Sequence, residues 1–187
     1  MSKQSGMRRK NQLLSGRALA PLLVCLFTAI SVGQPIHDLA GTWNLVNERS
    51  SSVDPWRSMS LSIESTEGVV TIYRDLLAGR DSRKDTLVVP VDGQTRSTIV
   101  PKSAHWLEQP HLGVYFDGTT QQHVSGTWLR PGVELMVNVS TTLQTSQGPS
   151  PVQIIRRFIV SEDGTELTML ETRSSRPRPI NLVFKRQ

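Results

Sequence analysis

The stretches "AGTWNL" (40–45) and "SGTWLRPGVELMV" (125–137) carry one triplet, Gly-Thr-Trp, twice. A duplication would align more than the triplet at the same offset. It does not: Pro55 would fall on Ser140, and Ile63 on Gly148. Each triplet instead sets a Trp two residues after a Gly, on one face of a strand. The missing side chain leaves room for the indole or for a crossing strand. With a turn at Pro131-Gly132, residues whose numbers sum to 263 pair. Trp128 then faces Leu135, Gly126 faces Val137 and Val124 faces Val139. That face is wholly apolar, while His123, Thr127, Met136 and Asn138 take the other. Alternation of this kind predicts a core-facing antiparallel hairpin.

Turn signals recur outward from this hairpin at Glu67-Gly68, Asp92-Gly93, Asp117-Gly118 and Asp163-Gly164. The runs between them are short and rich in Val, Ile, Thr and Leu. They predict strands near 41–47, 57–66, 69–76, 84–91, 94–100, 112–117, 119–130, 133–142, 152–161, 166–173 and 180–186. The proline-bearing stretches 101–111, 144–151 and 175–179 read as loops. Many short strands with regular turns predict an all-β barrel or sandwich. A turn at Asp163-Gly164 sets Val160 opposite Leu167, Phe158 opposite Met169, Ile154 opposite Arg173 and Arg156 opposite Glu171. A slip of one residue would mix the faces.

The first 33 residues read differently. Lys3, Arg8, Arg9, Lys10 and Arg17 precede an uncharged, mostly apolar stretch at 18–32. A basic start, a short apolar core and then small residues describe a secretory signal cleaved after Gly33, with Ser31 and Gly33 as the small pair and Ser31 itself as a second candidate. The apolar stretch falls short of the ~20 residues of a membrane span; an uncleaved anchor is the alternative. The expected organisation is a signal peptide, 1–33, and one barrel domain, 34–187, exported to a periplasmic or extracellular location with no membrane span in the mature chain.

Export changes the meaning of the charge. The whole chain holds 21 basic and 16 acidic residues, and five basic and no acidic ones lie in 1–33. The remainder carries 16 of each, so the high pI belongs to the targeting segment and gives no ground for a nucleic-acid partner. Cys25 is the only cysteine. The mature domain has no disulfide, thiolate nucleophile or cysteine metal site, and rests on its core alone.

A Gly-x-Trp on the first strand of an exported β domain, here Gly41 and Trp43, resembles the lipocalin and fatty-acid-binding (calycin) families. The stretches "GTWNLVNERSS", "SGTWLRPGVELMV", "SEDGTELTML" and "LVFKRQ" are similar to those of a group of lipocalin-like (calycin-type) exported bacterial β-barrel proteins. The resemblance spans nearly all of 38–187. It implies a single antiparallel lipocalin-like barrel closed at one end by Trp43, often under an arginine, and a binding site for a small apolar or amphipathic ligand. It supplies no chemistry. Departures are plain: Pro55 stands where fatty-acid-binding proteins carry two helices, and the last strand "NLVFKRQ" lacks their terminal Arg-x-Tyr.

No nucleophile elbow, His-Glu-x-x-His or phosphate loop occurs, so no catalytic residue, cofactor or metal is assigned. His105 and His111, with Glu108 between, are too few ligands for a metal in a loop. Arg156 and Glu171 fall on the apolar face of their hairpin, where a charge must be paired. They are expected either as a structural pair, with Arg156 near a Trp at the barrel end, or as a polar spot on a cavity wall. Tyr73, Trp106 and Tyr115 are candidates for a pocket mouth. Gly41, Trp43, Gly126 and Trp128 are structural. Asn138-Val139-Ser140 is a glycosylation sequon. The inward residues are mostly of medium size, which predicts a filled or nearly filled interior, with any cavity toward the loops opposite Trp43. Three functions remain: a module binding a small apolar or amphipathic molecule; an envelope structural or protein-interaction domain with a filled barrel, its partner unnamed; and an acid–base enzyme using Glu171.

Overall fold

The computed structural model describes residues 38–52, 56–100, 118–145 and 147–187. The signal segment, Cys25, Pro55, His105, Trp106, His111, Tyr115 and the strand expected at 112–117 lie outside the described residues. What is described forms ten strands: β1 (Gly41–Leu45), β2 (Ser58–Thr66), β3 (Val69–Ala78), β4 (Asp81–Pro90), β5 (Arg96–Ile99), β6 (Gln121–Arg130), β7 (Glu134–Thr145), β8 (Gly148–Val160), β9 (Glu166–Arg173) and β10 (Arg176–Arg186). A one-turn 3-10 helix, Asn47–Arg49, follows β1.

All ten strands form one sheet in the order β4-β3-β2-β1-β10-β9-β8-β7-β6-β5, antiparallel throughout. Every sequential pair is a ladder except β4–β5, and β10 returns to β1. The sheet curls into a nearly closed antiparallel barrel, the architecture that the lipocalin resemblance implies. Its seam lies between β4 and the β5–β6 edge. Gly126 of β6 explains how the seam closes. A Cβ there would stand 2.5 Å from Val89 Cγ1 and 3.0 Å from the Pro90 carbonyl. The glycine admits the crossing strand β4, not the indole of Trp128. Asp92-Gly93 therefore does not join a hairpin: the chain turns there and crosses the seam, and β5 bonds to β6.

The two hairpin registers hold. Val160 pairs with Leu167, Phe158 with Met169, Arg156 with Glu171 and Ile154 with Arg173. Val124 pairs with Val139, Gly126 with Val137 and Trp128 with Leu135; beyond Trp128 a bulge shifts the ladder, so that Arg130 meets Glu134. The loop expected at 144–151 is instead a continuation of β7 and β8 around a tight turn. Pro149 and Pro151 fit because β9 ends opposite Ile154, leaving the start of β8 bonded on one side only. Likewise 176–179 belongs to β10, with a register irregularity before Ile180.

The even-numbered strands end beside the first residue of β1, and this end is closed. Trp43 is fully buried and its indole N–H donates to the Leu39 carbonyl at 3.0 Å. The Arg186 guanidinium lies 4.1 Å from the ring centroid. It also donates to the Gly164 carbonyl at 2.8 Å and the Ala40 carbonyl at 3.0 Å. The arginine over the barrel-end Trp is thus Arg186, from the last strand, and Arg156 lies elsewhere. Trp128 is only partly buried and packs on the core edge. At the opposite end Trp56, Met59, Leu76, Leu143 and Val152 are buried.

Candidate functional site

A layer of charge crosses the barrel between its two apolar ends. Along β3 the inward side chains run Ile72, Arg74, Leu76; along β8 they run Ile154, Arg156, Phe158. Arg74 pairs across strands with Asp85, its Nε 2.9 Å from Oδ1. Arg156 Nε donates to Glu171 Oε2 at 2.5 Å, and Arg173 Nε donates to Glu171 Oε1. Glu171 is 1% exposed, with both oxygens occupied. The expected Arg156–Glu171 neighbours are therefore in place, joined by Arg173.

The two clusters feel each other across the interior. Burial raises the Asp85 carboxyl, but the charge and hydrogen bond of Arg74, then the charges of Arg156 and Arg83, hold it below the ordinary carboxylate range. Burial works against the Arg74 cation too, yet Asp85, aided by Glu171, leaves its pKa raised. Burial lowers the Arg83 guanidinium. The space shared by Arg74, Arg156, Leu61, Ile72, Phe158 and Met169 is only about 10 Å³, room for about one water. Among the described residues the packing around these arginines is tight, and both Glu171 oxygens are held by guanidinium groups.

A larger hollow lies on the outer wall. A groove of about 670 Å³ runs over β6, β7 and β8 at the end away from Trp43. His123, Ser140, Thr142, Gln144, Gln153 and Ser174 are among the side chains that line it. His123, Ser140 and Gln153 are direct cross-strand neighbours and alternate with the buried Val124, Val139 and Ile154, so they stand on the outer wall. Ser97 continues the row on β5, with Oγ 2.7 Å from His123 Nδ1. Ser174 ends it, accepting from the Gln153 backbone N–H at 3.0 Å. The cavity expected toward the loops opposite Trp43 is an interior one; this groove lies at that end but on the outer wall, so it is a different hollow.

Tyr73, expected at a pocket mouth, stands on the outer wall of β3, 39% exposed, its hydroxyl 3.4 Å from Glu64 Oε2. Its neighbours Ile72 and Arg74 take the inward positions, and it lines neither hollow. Arg156 does border the small interior space. The groove residues were missed in sequence because neutral hydroxyl and amide side chains carry no motif. Asn138, of the sequon, lies mid-strand on the same outer wall, between Ser125 and Ile155. Among the described residues no helix is long and apolar enough to cross a membrane, and no group of three or more His, Cys, Asp or Glu is placed to hold a metal ion.

No family model matches the chain, and no curated protein does. Solved structures give distant likenesses. Human cRBP IV is 12% identical, with 80% of this chain and 98% of that chain covered at a TM-score of 0.45. A secretary abundant heat soluble protein from Ramazzottius varieornatus is 10% identical, covering 80% and 95% at 0.45. The fatty-acid-binding protein of Manduca sexta is 9% identical, covering 79% and 98% at 0.39. The barrel assignment rests on the strand order and registers of the chain itself.

Proposed function

We propose that the chain is an exported binding module that holds a small molecule in the outer groove at the end away from Trp43. One contrast carries this reading: about 10 Å³ beside the interior arginines against about 670 Å³ in the groove. Binding hollows for small molecules run from ~300 to 1,000 Å³. The basic start and short apolar stretch of 1–33 support export. Native mass spectrometry of protein purified from its own host tests the reading. The expected result is a co-purified small molecule that is lost when Ser140→Trp fills the groove and kept in Tyr73→Ala. Retention in the Ser140 variant would refute it. The tight packing around Arg74 and Arg156 also favours a second reading, an envelope interaction domain. Co-purification of a protein in place of a small molecule would select that one.

A further inference from the structure

We propose that the groove takes a neutral, polyhydroxylated ligand, a short neutral oligosaccharide. This rests on the groove reading above and names its ligand class. Charged residues make up 20% of the chain, yet 118–129 and 135–155 contain no Asp, Glu, Lys or Arg. These segments supply most of β6, β7 and the first half of β8, including eleven of the twelve groove residues. The twelfth, Ser174, is uncharged as well.

The registers align this chemistry. Ser97, His123, Ser140 and Gln153 follow one another across four strands, and Ser174 closes the row. Thr142 lies opposite Pro151 in the next outward row. Hydroxyls and amides offer donors and acceptors together, in a row that repeats at the strand spacing of roughly 4.8 Å. A ligand bearing many hydroxyls answers both. A carboxylate or phosphate would call for guanidinium or ammonium groups, which give the strong anion contacts, and the lining has none. An apolar chain would cover these polar groups without replacing their water, which is unfavourable. Pro151, exposed on the outer wall, supplies the apolar ground on which the C–H face of a sugar ring can lie.

The test uses the full chain, isotope-labelled, titrated separately with neutral hexasaccharides of glucose, mannose, galactose and N-acetylglucosamine. Polygalacturonate and palmitate are the contrasting probes. The expected result is that at least one neutral hexasaccharide shifts the amide signals of His123, Ser140 and Gln153. Gln153→Ala, an exposed change that should leave the melting temperature intact, is expected to weaken that binding at least tenfold. Shifts at these residues with palmitate or polygalacturonate but with no neutral sugar overturn the ligand class and leave the groove as the site. Shifts that lie elsewhere, or no shift with any probe, overturn this proposal and the groove reading with it.

Discussion

Trp43 joins three segments through one side chain: its ring packs in the core, its N–H bonds to Leu39, and Arg186 covers its face. Truncation to Ala removes a fully buried indole, and we expect Trp43→Ala to cost about 3–5 kcal/mol, read by chemical denaturation. A loss below ~1 kcal/mol would show that the closed end does not depend on it. Glu171 poses a different problem, because its two oxygens hold two buried arginines. Removing one member of a buried ion group leaves its partners uncompensated, typically at about 3–5 kcal/mol. Glu171→Leu and Arg156→Leu should each destabilise, and the double variant should cost less than the two together. Strict additivity would separate them. Asp85 adds a pH signature. Its folded pKa lies below the ordinary value, so its stabilisation is complete above about pH 4 and is lost as pH falls through the folded value. Urea midpoints measured from pH 7 to pH 2 should decline less steeply in Asp85→Asn than in the native chain. An unchanged acid limb would remove Asp85 from the account.

Strands whose ends are marked by a turn and whose faces differ in polarity were legible as elements. The β8–β9 register followed from Asp163-Gly164 because any slip sets charge against the core. Arg156 and Glu171 were found by the same logic, but Arg74 and Asp85 were not: Gly79-Arg80 is a weaker turn signal than Asp-Gly, so the β3–β4 pairing offered no fixed point. Prolines misled twice, at 149–151 and 177–179, since a strand bonded on one side tolerates a residue without an N–H. The crossing of the seam was legible only as an alternative use for a glycine. Gly126 makes that testable. Its missing Cβ would meet β4 atoms, backbone included, at 2.5–3.0 Å. We expect Gly126→Ala to cost about 1–3 kcal/mol as an overpacked contact. Ser125→Ala, one residue away on the outer wall, should stay within about 0.5 kcal/mol. Equal effects from the two would mean that β4 does not press on β6.

The barrel as a whole is a continuous ladder with a single break among its described strands. From β3 to β6, through β1 and β10, every strand has a hydrogen-bonded neighbour on both sides. β4 and β5 are bonded on one side and face each other across the seam without a ladder. β5 is also the shortest of the strands, four residues with none buried. The seam closes by side-chain packing of β4 on β6, which opens at a lower free energy than a ladder of hydrogen bonds over a core. The space beside Arg74 and Arg156 holds about one water, so a guest there would need such an opening, whereas the outer groove needs none. Native-state hydrogen exchange should show this order. Amides of Arg96–Ile99 are expected to exchange first and those on the free edge of β4 next. The amides of β8, β9 and β10 around Phe158, Met169 and Leu182, all buried, should exchange last, near the free energy of global unfolding. Equal protection of β4, β5 and β8–β10 would mean that the seam is as firmly bonded as the rest.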